Sequence, residues 1–107
     1  RNYQSTVIGL AGKLDPNDIL SRYETTYKRN FINYSNSEYD KIIKAAASSV
    51  DEDERAKLYK EAQRILSEDS ASVWLCDPNN TAAMKPSLKG YIYYPAGLID
   101  FASMYYE

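Results

Sequence analysis

Apolar positions along the first third of the chain change from strand-like to helical spacing. Residues 5–10 (STVIGL) are rich in β-branched side chains and close on glycine, which predicts a short buried strand followed by a tight loop. Residues 15–18 (DPND) then combine a capping oxygen with a proline suited to a first helical turn. We therefore expect a helix that carries Tyr23 and Tyr27 on its apolar face and ends near Asn30.

Two longer amphipathic helices are predicted in the middle of the chain. The first follows the polar run at residues 35–37, whose side chains are suited to capping, and the second follows the acidic run at residues 51–54. Their apolar positions recur with helical periodicity. In the first helix these positions are Tyr39, Ile42, Ile43 and Ala46, and in the second they are Leu58, Ala62, Ile65 and Leu66.

The last third of the chain returns to a strand-like pattern. Residues 72–76 are apolar on both faces, which predicts a strand covered on both sides. We expect an edge strand at residues 81–84, another strand at residues 90–94, and a last short strand or a turn at residues 98–101. This order predicts an α/β fold in a single domain of residues 1–107, with three helices packed on a small mixed sheet.

Composition excludes several classes of function. A net charge of −2 over 107 residues argues against a nucleic-acid surface, and no apolar run approaches the roughly 20 residues that span a bilayer. The absence of histidine removes the commonest general base and metal ligand. The only cysteine, Cys76, excludes an internal disulfide and is predicted to be buried in a strand. No metal and no cofactor are expected.

The order of these motifs resembles the carboxyl-terminal region of a known family. The motifs are Gly9-Leu10, Asp15-Pro16, Asn30-Phe31, Tyr34-Ser35-Asn36, Asp40-Lys41-Ile42-Ile43-Lys44-Ala45-Ala46, Arg55, Leu58-Tyr59, Ala62-Gln63-Arg64-Ile65-Leu66, Asp69 and Lys89-Gly90-Tyr91. Each is weak alone, but their order and spacing together resemble the oligopeptide and dipeptide solute-binding proteins of ABC importers, known as family 5. The resemblance extends over essentially the whole chain.

The resemblance implies a fold and a set of partners. Proteins of that family are much longer, lie outside the cytoplasmic membrane, and close two lobes on a ligand. The chain would then be a segment of the carboxyl-terminal lobe in a periplasmic-binding-protein-like fold, with a lipid anchor expected in the full-length protein. Its implied partners are a small solute or peptide, the remaining lobe and a membrane permease. A segment of a lobe should also expose apolar patches.

The resemblance and the loop positions indicate where a ligand would bind. The candidate ligand-binding residues are Leu10, Ala11, Lys13, Asn30, Asn33, Tyr34, Asp77 and Asn79. Leu10, Ala11 and Lys13 lie at or just after the end of the predicted strand of residues 5–10, and Asp77 and Asn79 follow that of residues 72–76. The α/β sheets commonly bind ligands at such strand ends. Peptide-binding members have a tryptophan where this chain has Leu10, and an aspartate near the position of Lys13. A lysine there would repel an amine, and it either meets a carboxylate or phosphate or is simply a solvated loop residue.

Three functional hypotheses follow. The first is non-catalytic solute binding for import. The second is a hydrolase that uses two carboxylates such as Asp15 and Asp77. The third is a protein-interaction domain that offers residues 91–94 as an edge strand. We expect the first, because the aspartates and glutamates of the chain are accounted for as helix caps or surface charges.

Overall fold

The computed structural model describes residues 2–94 and 97–107. These residues form two compact units: one ends at Trp74, and the other extends from Leu75 to Glu107. The organisation of residues 1–107 as one domain stays a prediction.

Three helices form the first unit. Helix α1 is Asn17–Leu20 and continues as a 3-10 turn, Ser21–Tyr23, while α2 is Ser37–Ser48 and α3 is Glu52–Glu68. Asn36 caps α2 by accepting hydrogen bonds from two backbone amides, at 2.9 and 3.1 Å. The Asp51 carboxylate caps α3 by accepting from the Glu54 amide at 2.9 Å. The capping predicted within residues 35–37 and at the acidic run is confirmed.

The core of the first unit lies between these helices. Its buried apolar residues are Leu20, Tyr23, Tyr39, Ile43, Ala46, Tyr59, Ala62, Ile65 and Leu66. Ile42 and Leu58 are partly buried and pack against this cluster. The predicted apolar faces of α2 and α3 are therefore confirmed, because every predicted position is either in the core or against it.

The first helix is much shorter than predicted. It ends at Tyr23, and Glu24 has extended backbone with ψ 134°. The Glu24 carbonyl accepts a hydrogen bond from the Asn30 side chain at 3.1 Å, and the Asp40 carboxylate accepts from the Thr25 amide at 2.9 Å. These side chains bond backbone groups that a continuing helix would pair internally, so the chain turns here, and the predicted helical extension through Tyr27 is wrong.

The predicted strands are wrong in position. Residues 5–10, 72–76, 81–84 and 90–94 have no strand structure, and residues 98–101 lead into a 3-10 turn, Phe101–Ser103. The ladder that forms within the described residues pairs β1, Leu88–Lys89, with β2, Tyr105–Tyr106, in the second unit. The ladder is antiparallel, so the predicted mixed sheet is wrong. The described residues still combine three helices with a sheet, as the predicted α/β class requires.

The strand-like segments instead expose apolar side chains. Val7 is 84% exposed, Val73 82% and Trp74 61%. Cys76 is also exposed, which corrects the prediction of a buried strand cysteine. A segment with a strand pattern buries its side chains only when neighbouring strands cover it, and no ladder among the described residues does so. Apolar patches of this kind were expected of a segment of a lobe.

No helix in the described part of the chain is long and apolar enough to cross a membrane.

Candidate functional site

Leu10, Ala11 and Lys13 lie on an exposed segment that precedes α1. Leu10 is 38% exposed, and a side chain added at Gly9 or Gly12 would meet no atom within 4 Å. Lys13 has no ion-pair partner among residues 2–94 and 97–107. The segment therefore exposes its backbone groups and the Lys13 ammonium to solvent.

Asp15 fixes the end of this segment. Its Oδ2 atom is 2.7 Å from Nη2 of Arg55, and its Oδ1 accepts a hydrogen bond from the Asn17 amide at 2.8 Å. The hydrogen bond from Arg55, followed by that from Asn17, holds the pKa of the Asp15 carboxyl below its usual value. Asp15 is thus an ionised carboxylate that joins the first backbone amide of α1 to α3.

Tyr3 joins the beginning of the same segment to the loop between α1 and α2. The Tyr3 hydroxyl donates to the backbone carbonyl of Phe31. Residues 4–14, which we call the strap, are therefore fastened at both ends, by Tyr3 at one end and by Asp15 at the other. Two of the predicted binding segments, around Leu10 and around Asn30, are linked in this way.

Asn30 shapes the second segment from inside. It is 2% exposed, and its amide nitrogen donates to the carbonyls of Glu24 at 3.1 Å and Tyr34 at 2.8 Å. Its side-chain oxygen accepts from the Ile32 amide at 3.2 Å. All of these bonds are made to backbone of the same loop. The structure therefore gives Asn30 a scaffolding position, and its predicted ligand contact stays untested.

Asn33 and Tyr34 lie nearer the surface of the same loop. Asn33 is exposed and has a left-handed backbone with φ 57°, a conformation that asparagine tolerates better than most residues. Tyr34 is half-buried, and its ring meets those of Tyr23 and Tyr39 edge to face, with centroids 6.3 and 5.7 Å away. Aromatic packing thus fixes Tyr34 and holds the loop in place.

A polar cluster of Tyr34, Asn36 and Asp69 fastens this loop to the end of α3. The Asp69 carboxylate accepts from the Tyr34 hydroxyl at 2.5 Å and from the Asn36 side-chain amide at 2.8 Å. Burial, followed by the hydrogen bond with Asp69, raises the pKa of Tyr34 to about 12. The hydrogen bonds from Tyr34 and Asn36 lower the pKa of Asp69. Sequence reasoning missed this role of Asp69, although it appears among the motifs above.

Asp77 and Asn79 belong to the second unit, where both are exposed. The neighbouring Asn80 donates its side-chain amide to the Tyr93 hydroxyl at 3.1 Å, which links this segment to residues 91–94. The roles of Asp77 and Asn79 in ligand binding stay predictions.

Two depressions in the first unit lie away from the predicted binding residues. An apolar one of about 490 Å³ is bordered by residues that include Ile19, Leu20 and Trp74. Another, of about 420 Å³, is bordered by residues that include Glu24 and Lys44, which pair with each other at 3.4 Å. Neither is lined by a predicted ligand-binding residue. The described residues also contain no group of three side chains suited to holding a metal ion.

Comparison with known proteins decides the family. No family profile matches the sequence. The chain is 37% identical over 62 residues to the probable D,D-dipeptide-binding periplasmic protein DdpA of Escherichia coli strain K12, covering 58% of this chain and 12% of that protein. It is 35% identical over 81 residues to the oligopeptide-binding protein AppA of Bacillus subtilis strain 168, covering 76% of this chain and 15% of AppA. The chain belongs to the family 5 solute-binding proteins.

A further relative is named for a different ligand. The chain is 31% identical over 90 residues to heme-binding protein A of Haemophilus influenzae, covering 81% of this chain and 16% of that protein. The segment therefore spans about one eighth to one sixth of the length of these relatives. All three are named as binding proteins and none as an enzyme.

Proposed function

We propose that this chain is part of the carboxyl-terminal lobe of an extracytoplasmic solute-binding protein that delivers a peptide or related small molecule to the permease of an ABC importer. The observation that carries this proposal is the match of 35% identity across 76% of the chain to an oligopeptide-binding protein. The periplasmic location in the name of the D,D-dipeptide-binding relative supports the extracytoplasmic placement.

The mechanism proposed is closure of two lobes around the solute, without covalent chemistry. A ligand that contacts both lobes stabilises the closed state, because it gains contacts there that the open state lacks. In this proposal the strap supplies backbone groups near Leu10 and Ala11, and the loop of Asn33 and Tyr34 borders the cleft. The fastening of both segments to the helices supports this assignment, because pre-organised loops lose less entropy on binding.

Lys13 is proposed to meet an anionic group of the solute. It is an exposed cation without an ion-pair partner among the described residues, whereas the family's peptide-binding pattern has a carboxylate nearby. A lysine ammonium attracts a carboxylate or phosphate and repels an amine. Asp77 and Asn79, which are both exposed, are proposed as further contacts because the family resemblance places them in a segment that faces the ligand.

Two other functions are less well supported. A carboxylate hydrolase would use Asp15 as acid or base, but Asp15 is paired with Arg55, and its lowered pKa is the opposite of what a general acid requires. An edge-strand interaction domain would use residues 91–94, which form no strand in the second unit. The premises of these two alternatives are therefore weaker than those of solute binding.

Titration calorimetry on the full-length protein that contains this chain tests the proposal. The probes are D-alanyl-D-alanine, trialanine and hemin, one for each ligand class in the names of the relatives above. We expect at least one probe to bind the full-length protein, and to bind the isolated 107-residue chain far more weakly because the contacts of the other lobe are absent. Equal affinities for the two proteins would contradict the lobe assignment.

The role of Lys13 has its own test in the same assay. Lys13→Gln should weaken binding of an anionic probe about tenfold, because a charge-assisted hydrogen bond is lost. Lys57→Gln, which removes an exposed lysine on α3, is the matched control and should leave affinity unchanged. If both variants bind like the wild type, Lys13 is a solvated loop residue.

A further inference from the structure

The strap depends on a single charged contact at its carboxyl end. Residues 4–14 are exposed throughout, and the strap reaches α1 at Asp15. The Asp15 carboxylate is bonded on one side to the Asn17 amide and on the other to Arg55. The direction in which the strap leaves the helices is therefore set where Asp15 meets Arg55.

Arg55 is itself held by groups from α2 and α3. Its Nε donates to the Ala46 carbonyl at 3.2 Å, and its Nη2 donates to the Tyr59 hydroxyl at 3.3 Å as well as to Asp15. Its guanidinium carbon is also 5.4 Å from the centre of the Tyr59 ring, within the range of a cation–π contact. Ala46 and Tyr59 are both buried, at 0% and 4% exposed. These contacts hold the planar guanidinium in one orientation, so the position of Asp15 is fixed relative to α2 and α3.

We propose that Arg55 is a positioning residue for ligand binding: by holding Asp15, it fixes the strap so that Leu10, Ala11 and Lys13 face the solute in one arrangement. This inference rests on the proposed function, since it assigns the strap to the ligand. Lys13 lies only two residues before Asp15, so a displacement of Asp15 also displaces the Lys13 ammonium group. Arg55 touches the fold and not the solute.

The chain offers a matched set of variants. Arg55→Gln removes the positive charge and most of the N–H donors of the guanidinium. Arg55→Lys keeps the charge, but a lysine ammonium cannot bond three partners in the geometry of a planar guanidinium. Arg64→Gln is the control, because Arg64 lies on the same helix and pairs with Glu61 and Glu68 on its exposed face. Asp15→Asn removes the charge at the other end of the contact and keeps an oxygen that can accept from the Asn17 amide.

A ligand-free measurement comes first. Lys13 is the only lysine or arginine in the strap, so the initial rate of tryptic cleavage after Lys13 in the full-length protein reports how firmly the strap is held. We expect cleavage to be faster, by about threefold to tenfold, in Arg55→Gln, Arg55→Lys and Asp15→Asn than in Arg64→Gln. The double variant Asp15→Asn with Arg55→Gln should be cleaved no faster than either single variant. General destabilisation would instead make the two effects multiply.

The second measurement is affinity, by calorimetry, for whichever of D-alanyl-D-alanine, trialanine or hemin binds the wild type. We expect Arg55→Lys to lower affinity by about threefold to tenfold relative to Arg64→Gln. Cleavage after Lys13 at the rate of the control overturns the proposal. So does faster cleavage with unchanged affinity, because the strap would then not serve the ligand. If the wild type binds no probe, the proposed function fails for these ligands, and the cleavage rates alone decide whether Arg55 holds the strap.

Discussion

The Tyr39 hydroxyl donates a hydrogen bond to the backbone carbonyl of Leu20 at 2.6 Å. Tyr39 is fully buried in α2, and Leu20 is the last residue of α1, so this bond joins the two helices inside the core. Burial is the main reason why the pKa of Tyr39 lies above its ordinary value. The same ring packs edge to face against Tyr23 and Tyr34, which makes Tyr39 the centre of the aromatic part of the core.

Tyr39→Phe should therefore destabilise the first unit although it keeps the ring. The Leu20 carbonyl would be left buried without this donor, and we expect the free energy of unfolding to fall by about 1 to 3 kcal/mol. Urea unfolding of the variant measures this change. Tyr106→Phe is the control, because Tyr106 is 70% exposed and loses only a solvated hydroxyl. Equal unfolding midpoints for the two variants would show that the bond to Leu20 contributes nothing.

The helices α2 and α3 could be predicted from the sequence because their signals are local. A capping side chain and a stripe of apolar residues recurring every three or four positions lie within one element, and both features act in the folded chain as expected. The end of α1 could not be predicted in this way. It depends on Asn30 and Asp40, which bond to the backbone near Glu24 and Thr25 from other parts of the chain.

The strands could not be predicted because a strand pattern says nothing about its partner. Residues 5–10 and 72–76 have the composition of buried strands, yet Val7 and Val73 are more than 80% exposed. The ladder that does form joins Leu88 to Tyr106, two residues far apart in the sequence. Pairing between distant segments depends on the whole fold, whereas β-propensity only describes a segment that suits a half-buried surface.

The ligand-binding role of the candidate residues stays a prediction. Their order in the chain places Asn30, Asn33 and Tyr34 in one segment, but it cannot distinguish a side chain that faces solvent from one that supports the loop. Asn30 bonds three backbone groups of its own loop, and no local sequence pattern encodes such bonds. The contact between Asp15 and Arg55 likewise joins residues 40 positions apart, for which the sequence carries no local signal.

Asn30→Ala tests the scaffolding position of Asn30 without any ligand. At a position that is 2% exposed, the Tyr34 carbonyl would lose this donor and the Ile32 amide its acceptor, while the Glu24 carbonyl would keep the bond from the Tyr27 amide. We therefore expect the free energy of unfolding to fall by about 1 to 3 kcal/mol. Asn33→Gly, in the same loop, should change it by less than about 1 kcal/mol, since glycine adopts a positive φ readily. Urea unfolding of both variants makes the comparison. A small effect at Asn30 would show that its three bonds to the backbone do not support the loop.

Gly90→Ala should disrupt the ladder of the second unit. Gly90 has φ +79°, and an added Cβ would lie 2.0 Å from the backbone oxygen of Ser103, so the backbone must move. Gly97 has φ +72° but no atom within 4 Å of such a Cβ, so Gly97→Ala introduces only the strain of a left-handed residue, about 1 to 2 kcal/mol. We expect the Glu107 amide, which donates to the Ser87 carbonyl at 2.9 Å, to exchange its hydrogen faster in Gly90→Ala than in Gly97→Ala. Similar exchange in both would mean that the close approach of Gly90 to Ser103 does not support the ladder.

The polar cluster of Tyr34, Asn36 and Asp69 should make stability depend on pH on the acid side. Hydrogen bonds from Tyr34 and Asn36 lower the pKa of Asp69 below its ordinary value of 3.8, so the folded state binds this proton less readily than the unfolded state. The stabilisation is therefore complete above the ordinary pKa and is lost as pH falls through the lower folded value.

We expect the difference in unfolding free energy between the wild type and Asp69→Asn to be constant above about pH 5 and to shrink towards about pH 2. Urea unfolding at a series of pH values measures this difference. Asp77→Asn, which replaces an exposed carboxylate of the second unit, is the matched control for the loss of a surface charge. A difference at Asp69 that is the same at every pH would show that the Tyr34 and Asn36 bonds do not distinguish the ionised carboxylate from the neutral one.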